Sequence, residues 1–190
     1  MSETISLDLK PKVYMDEDAK LVLAAQQNPQ EFKNLYQKWL GRIFRYFYFR
    51  VGNKKDAEDL TSQLFLKVYE DLPCYHNRGY FSAWLFAIAH ARLTDFYRKG
   101  RKEIALSDLT PEVNVPDLLS RSAHRIEIEQ LFGLLRSLSV EEQELIRLRF
   151  AADLSYQEIG AILNRKEDAV RKSIARLLER MQVQLEVYHD

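Results

Sequence analysis

LSVEEQELIRLRFAADLSYQEIGAILNRKEDAVRKSIARLLERM, residues 138–181, reads as a short helix, a tight turn and a longer basic helix. Ser155 precedes an apolar-periodic run and Glu158 follows three residues on, so hydroxyl and carboxylate can each satisfy an orphan backbone donor at a helix start. Tyr156, Ile159, Ile162 and Leu163 then share one face at helical spacing. Asn164 stands where the chain must turn, and asparagine tolerates a left-handed backbone better than most residues. Beyond it, Val170, Ile174, Leu177, Leu178 and Met181 form a second apolar stripe, which leaves Arg171, Lys172, Ser173 and Arg176 at its flanks and outer side. A basic outer face on the second helix of such a pair suits entry into a DNA major groove. Helix pairs with basic outer faces also occur in proteins that never touch nucleic acid, so the rest of the chain has to agree.

Working outward, the 190 residues can hold one compact domain or two small ones. With only 6 glycines and 5 prolines and a prevailing helical period, an all-α protein is expected. Basic and acidic residues balance at 28 each, which argues against a protein that coats DNA indiscriminately, since nonspecific affinity comes from many phosphate contacts. A basic face backed by an acidic one stays compatible with that sum. Cys74 is the only cysteine, so no intramolecular disulfide can form; a buried or half-buried free thiol in a reducing, cytoplasmic setting is expected. The acidic start MSETISLDLKPKVYMDED lacks a continuous apolar core, so neither a signal peptide nor membrane insertion is expected.

Residues 1–14 read as disordered, and a first short helix can run over 16–27. Asn28 and Pro29 suit an N-cap and first helical position. Phe32, Leu35, Tyr36, Trp39, Leu40, Ile43, Phe44 and Phe47 then recur at spacings of three and four as a wide core stripe. VGNKKD breaks that helix, and DAEDLTSQLFLKVYEDL makes the next, with Leu60, Leu64, Val68 and Leu72 as its inner seam and Pro73 as its end. After the loop PCYHNRGY, a fourth helix begins at Phe81 and closes on a basic cluster that includes Arg98, Lys99, Arg101 and Lys102. Between 103 and 125 the periodicity lapses and Pro111 and Pro116 appear, as expected of a flexible linker. The expected organisation is therefore a disordered stretch (1–14), a helical domain (15–102), a linker (103–125) and a second helical domain (126–190). Within the last, Ser139 and Glu142 offer another capping box.

These segments resemble the small bacterial sigma factors of the extracytoplasmic-function (ECF) type, which carry two domains named region 2 and region 4. DAEDLTSQLFLKVYEDLPCYHNRGYFSAWLFAIAHARLTDFYRKGRK (56–102) is similar to region 2 in its acidic entry, Phe65, the loop, the Phe81-to-Trp84 spacing and the basic tail. LRSLSVEEQELIRLRFAADLSYQEIGAIL (135–163) is similar to region 4. Two ordered matches on one short chain are more specific than either alone. The resemblance implies a promoter-specificity subunit that binds core RNA polymerase, recognises minus-10 and minus-35 promoter elements and promotes transcription initiation. It implies that Asp56, Glu58, Asp59, Ser62, Gln63 and Lys67 face the polymerase, with Phe65 as an anchor. Tyr75, His76, Asn77, Arg78 and Tyr80 would hold unpaired minus-10 bases, with Arg92, Arg98, Lys99, Arg101 and Lys102 on neighbouring phosphates and Trp84 in the core. Arg165, Lys166, Arg171, Lys172, Ser173 and Arg176 would read the minus-35 element.

The chain departs from the family at Ser62 and Gln63, where Gln and Glu are usual, and at the Asn164-Arg165-Lys166 turn with Glu167 and Asp168 behind it. Factors of this type are often held inactive by an anti-sigma protein, a partner that no residue of the sequence identifies. The alternative is a helix-turn-helix regulator independent of polymerase, which leaves the acidic helix and aromatic loop unexplained. No enzyme, metal or cofactor is expected: His76, His90, His124 and His189 are scattered, and neither a phosphate-binding glycine loop nor a nucleophile elbow occurs.

Overall fold

The computed structural model of the protein describes residues 18–76, 79–104, 133–135 and 137–187, and the side chains of all of these except 100–104 and 185–187. The expected disordered start at 1–14, the linker from 105 on and the beginning of the second domain lie outside the described residues. Every regular element among those described is helical. Helix α1 (Ala19–Gln27) gives way at Asn28, whose side-chain oxygen accepts from the Gln30 amide at 3.1 Å, to one tight turn at Pro29–Glu31. Helix α2 (Phe32–Val51) stops at Gly52, whose φ of 81° is left-handed and whose N–H donates back to the Tyr48 carbonyl at 2.9 Å. Asn53 then caps α3 (Lys54–Asp71) by accepting from the Asp56 amide at 2.8 Å. Pro73 closes α3 in the turn Leu72–Cys74, and α4 runs Phe81–Ile104.

In the second half, α5 (Val140–Ile146) and α6 (Tyr156–Leu163) each start with a complete capping box, Ser139 with Glu142 and Ser155 with Glu158. Asn164 closes α6 with φ 52°, and α7 runs Glu167–Val187. Between α5 and α6 the chain widens into a π turn at Arg147–Ala151, where the Ala152 amide reaches back to the Arg147 carbonyl at 2.9 Å, followed by Asp153 at φ 52°. Periodicity alone gives no sign of that widening. The apolar stripe of α7 is Val170, Ile174, Leu177 and Met181; Leu178, expected on it, is 41% exposed, because that stripe steps by four, three and four.

The core is richest in aromatic rings in α2 and α4 and, apart from Phe65 of α3, is aliphatic elsewhere among the described residues. Trp39, Tyr46, Phe47, Phe81 and Phe86 are fully buried, and the Tyr46 and Phe86 rings meet edge to face at 4.9 Å. One buried cluster runs on from α1–α4 into Leu145, Leu148, Ala152, Leu154, Ile159, Val170 and Ile174, so the two halves share an apolar interior. Leu134, Leu138, Leu177 and Met181 make a smaller satellite. Among the described residues no helix is long and apolar enough to cross a membrane, and no group of His, Cys, Asp and Glu is placed to hold a metal.

Candidate nucleic-acid interface

The loop after α3 is built from below. Tyr75 is partly buried: its ring lies 4.6 Å from that of Trp84 and meets Phe81 edge-on at 5.8 Å. From α1, the Gln26 side-chain amide donates to the Leu72 carbonyl at 2.8 Å and the Tyr75 carbonyl at 2.7 Å, which pins both ends of the turn. Sequence reading gave Gln26 no part, since a polar residue at a helix end is ordinarily solvated. The His76 ring sits with Nδ1 2.9 Å from the Cys74 carbonyl, so Nδ1–H donates and Nε2 is the ring's remaining polar atom. Cys74, Tyr75, His76, Gly79, Tyr80, Ala83, Trp84 and Ala161 line an open cleft. Trp84, expected in the core, is only partly buried and forms one wall. The Cys74 thiol, expected buried or half-buried, is exposed, because the tight turn at Leu72–Cys74 carries it outward. Asn77 and Arg78 lie outside the described residues.

Along α4, Arg92 is half-buried and Arg98 and Lys99 are exposed, with Arg98 paired to Asp95 at 2.9 Å. Arg101 and Lys102 continue the same helix, their side chains outside the described set. On α3, Glu58, Asp59, Ser62 and Gln63 are exposed, while Asp56 and Lys67 are half-buried. Lys67 is tied to Asp71 at 2.8 Å, and the Ser62 hydroxyl donates back to the Glu58 carbonyl at 2.9 Å. Phe65 is corrected: it is 5% exposed, with its ring against Tyr36 at 4.7 Å, and serves the core. The large apolar side chains that α3 does present are Leu66, 61% exposed, one residue on and so about 100° around the helix, and Tyr69, 47% exposed.

At the other end of the chain, Arg165, Lys166, Arg171, Lys172 and Arg176 are all exposed and Ser173 is half-buried. Arg165 donates to the Ser173 hydroxyl at 2.6 Å, and Arg171 pairs with Glu167 at 2.6 Å while lying over the Tyr156 ring at 5.6 Å. The turn that presents them is tight. A Cβ on Gly160 would stand 2.6 Å from the Arg165 carbonyl oxygen, so only glycine admits this approach of turn to helix. Glu167 and Asp168 occupy the first turn of α7, where the helix dipole favours carboxylates.

An exposed basic helix after a tight turn and an aromatic cleft before a basic helix thus occupy one chain in a fixed order. Residues 35–103 match sigma-70 region 2, and residues 128–181 match sigma-70 region 4. The chain belongs to the ECF-type sigma factors of bacterial RNA polymerase. Among its relatives, the ECF sigma factor BldN of Streptomyces coelicolor is 30% identical over 178 residues, covering 84% of this chain and 65% of that protein, so this sigma factor spans a little under two thirds of BldN. SigM of Bacillus subtilis is 26% identical over 148 residues, covering 77% of this chain and 90% of SigM. Two solved structures share the fold of this sigma factor. They are CnrH in complex with the cytosolic domain of CnrY (TM-score 0.60, 23% identity, 90% of this chain and 99% of that one) and RpoE with the anti-sigma factor NepR from Bartonella quintana (TM-score 0.62, 22% identity, 83% and 98%).

The region 2 and region 4 parts of this sigma factor meet through a polar cluster that sequence reading missed. Tyr46 of α2 donates its hydroxyl to Glu144 Oε1 of α5 at 2.7 Å, and His90 Nε2 of α4 lies 3.3 Å from the same oxygen. Arg147 and Arg50 stand 3.6 and 4.0 Å from Oε2. Burial alone would push the Glu144 carboxyl up, but hydrogen bonds from His90 and Tyr46 and the charges of His90 and Arg50 outweigh it and hold the group below its ordinary value. Burial, with the Glu144 charge added, pushes the Tyr46 hydroxyl far up, so it is a fixed donor. Arg45 and Arg42 of α2 donate to the Ala151 and Ala152 carbonyls, both at 2.9 Å, and Arg42 also to the Asp153 carbonyl. These carbonyls at the end of the π turn need outside donors, and two guanidinium groups supply them.

Proposed function

We propose that this sigma factor joins core RNA polymerase through the exposed face of α3, reads a minus-35 element with α7 and captures unpaired minus-10 bases at the cleft between α3 and α4. The single observation that carries this reading is the ordered pair of surfaces suited to DNA, an aromatic cleft on region 2 and an unburied basic helix face on region 4. In the cleft, Tyr80, His76 and Trp84 offer ring faces and edges to an extruded base, where base–aromatic stacking contributes about 1–3 kcal/mol per base. Arg92, Arg98 and Lys99 supply the phosphate side. On α7, arginines can grip guanine bidentately, and lysines serve phosphate. On α3, Leu66 framed by Asp59, Ser62 and Gln63 gives an apolar anchor in a polar rim, the usual anatomy of a protein interface.

The role is one of binding and positioning, in the cytoplasm where polymerase and promoter meet. An anti-sigma partner is part of this reading, supported by the two related folds whose structures contain the cytosolic domain of CnrY and the anti-sigma factor NepR. Run-off transcription with core polymerase and fragmented genomic DNA tests it. Discrete start sites that require the protein are expected. Their absence, together with absent core binding, would overturn the reading in favour of a polymerase-independent regulator.

A further inference from the structure

We propose that Gln26 of α1 is a positioning residue for minus-10 recognition: its side-chain amide sets the backbone of the loop that carries Tyr75, His76 and Tyr80, so that the aromatic cleft stands formed before a base enters it. The inference rests on the cleft reading proposed above and adds to it a residue outside the cleft, 46 positions before the first carbonyl it holds. The orientation of the amide follows from its partners. Both are carbonyls, the Leu72 oxygen at 2.8 Å and the Tyr75 oxygen at 2.7 Å, and a carbonyl only accepts, so the NH2 end faces them and gives one N–H to each. Pro73 and Cys74 lie between those two points, and the Tyr75 N–H closes the same turn on the Leu72 carbonyl at 3.0 Å. His76 follows with Nδ1 on the Cys74 carbonyl, so the three carbonyls at 72, 74 and 75 are all engaged at the mouth of the cleft.

The clamp is mounted on a fixed element. Val22 and Ala25 bury the inner face of α1, Lys38 of α2 pairs with Asp18 at its start at 2.7 Å, and the capped Asn28–Pro29 turn joins its end directly to α2. Gln26 stands beside Ala25 in the last turn and is half-buried, so its two hydrogen bonds are partly shielded from water. What it grips is central to the cleft. The ring of Tyr75 is held by α4, against Trp84 at 4.6 Å and Phe81 at 5.8 Å, and the carbonyl of the same residue is held by α1. A loop tied from two elements loses less conformational freedom when a base binds. Telling one base edge from another needs polar groups placed to within about 0.5 Å, whereas attraction to phosphate tolerates a moving loop. Freeing the loop therefore costs selectivity before it costs affinity.

The test compares the full-length parent with Gln26→Glu, which keeps the shape but replaces both donors by acceptors, and with Gln26→Met, which keeps the stem and removes the polar end. A nitroxide spin label on Cys74, the sole cysteine and an exposed one, sits between the two gripped carbonyls and reports the motion of the turn in the free chain. Label mobility is expected to rise in both variants. Unlabelled protein is then assembled with core polymerase, and the single-stranded DNA that the holoenzyme captures from a pool of random sequence is sequenced. The parent is expected to enrich a defined base motif, and the variants to lose about fivefold or more of the enrichment at its strongest position, the lower end of what one recognised position contributes. Core binding and total DNA captured are expected to stay close to the parent's. That split separates positioning from a general loss of structure, which would lower all of them together. If circular dichroism shows Gln26→Glu to be unfolded, Gln26→Met decides alone. Unchanged mobility, or raised mobility with the enrichment intact, would overturn the proposal and leave the cleft reading standing. A parent holoenzyme that enriches no motif, with the label still loosened in the variants, would sink the minus-10 reading of the cleft and reduce Gln26 to a structural contact.

Discussion

Phe65 and Leu66 are neighbours on α3 with opposite surroundings, one closed against Tyr36 and the other open to solvent. Phe65→Ala should therefore leave a core cavity and cost about 3–5 kcal/mol in a denaturant melt. Leu66→Arg should leave stability within about 0.5 kcal/mol and yet abolish co-purification with core polymerase. If Leu66→Arg still co-purified normally, the face of α3 that carries it would not be the docking face. Gly160 is constrained from the other side, by the Arg165 carbonyl only 2.6 Å from where its Cβ would be. Gly160→Ala should force turn and helix apart, lower stability by about 1–3 kcal/mol and reduce promoter-dependent transcription. A melt indistinguishable from the parent would show that the turn relaxes freely.

Both helices that lead into α7 begin with the same device, a serine hydroxyl and a glutamate three residues later exchanging hydrogen bonds with backbone amides. Ser155→Ala should cost about 1 kcal/mol, read as a lower unfolding midpoint. On α7 the cations are not equivalent. Arg165 and Arg171 are engaged with Ser173 and Glu167, whereas Lys172 and Arg176 have no ion pair among the described residues. Lys172→Ala should weaken duplex binding by a similar factor for every sequence and reduce the salt slope by about 1. A loss confined to one promoter sequence would instead assign Lys172 to a base edge.

Glu144 links local chemistry to the behaviour of the whole molecule. The groups facing it come from three directions: Tyr46 and Arg50 on α2, His90 on α4 with Tyr97 close by, and Arg147 on the π turn. Its carboxyl titrates below the ordinary 4.5, so the folded state favours the ionised form. The stability this supplies is present above the ordinary glutamate value and is lost as pH falls through the depressed folded value. Acidification below 4.5 should therefore lower the melting temperature of the parent more steeply than that of Glu144→Gln. Parallel pH profiles would show that the carboxylate contributes no such linkage.

Much of this molecule is local and was legible in the chain. Asn28, Asn53, Ser139, Ser155 and Asn164 act where capping chemistry requires, and the breaks at Gly52 and Pro73 fall where backbone sterics place them. The family followed from the order of two such patterns. The sequence could not tell Phe65 from Leu66, because a buried and an exposed apolar residue look alike until a neighbouring helix fixes which face is covered. Nor could it show that Tyr46, in an aromatic run, meets Glu144, in an acidic one, or that Gln26 holds a loop 46 residues away. Helix starts are set by residues three or four apart, and periodicity carries them. The Glu144 cluster depends on groups nearly a hundred residues apart whose charges matter only once water is excluded, and packing alone brings them together.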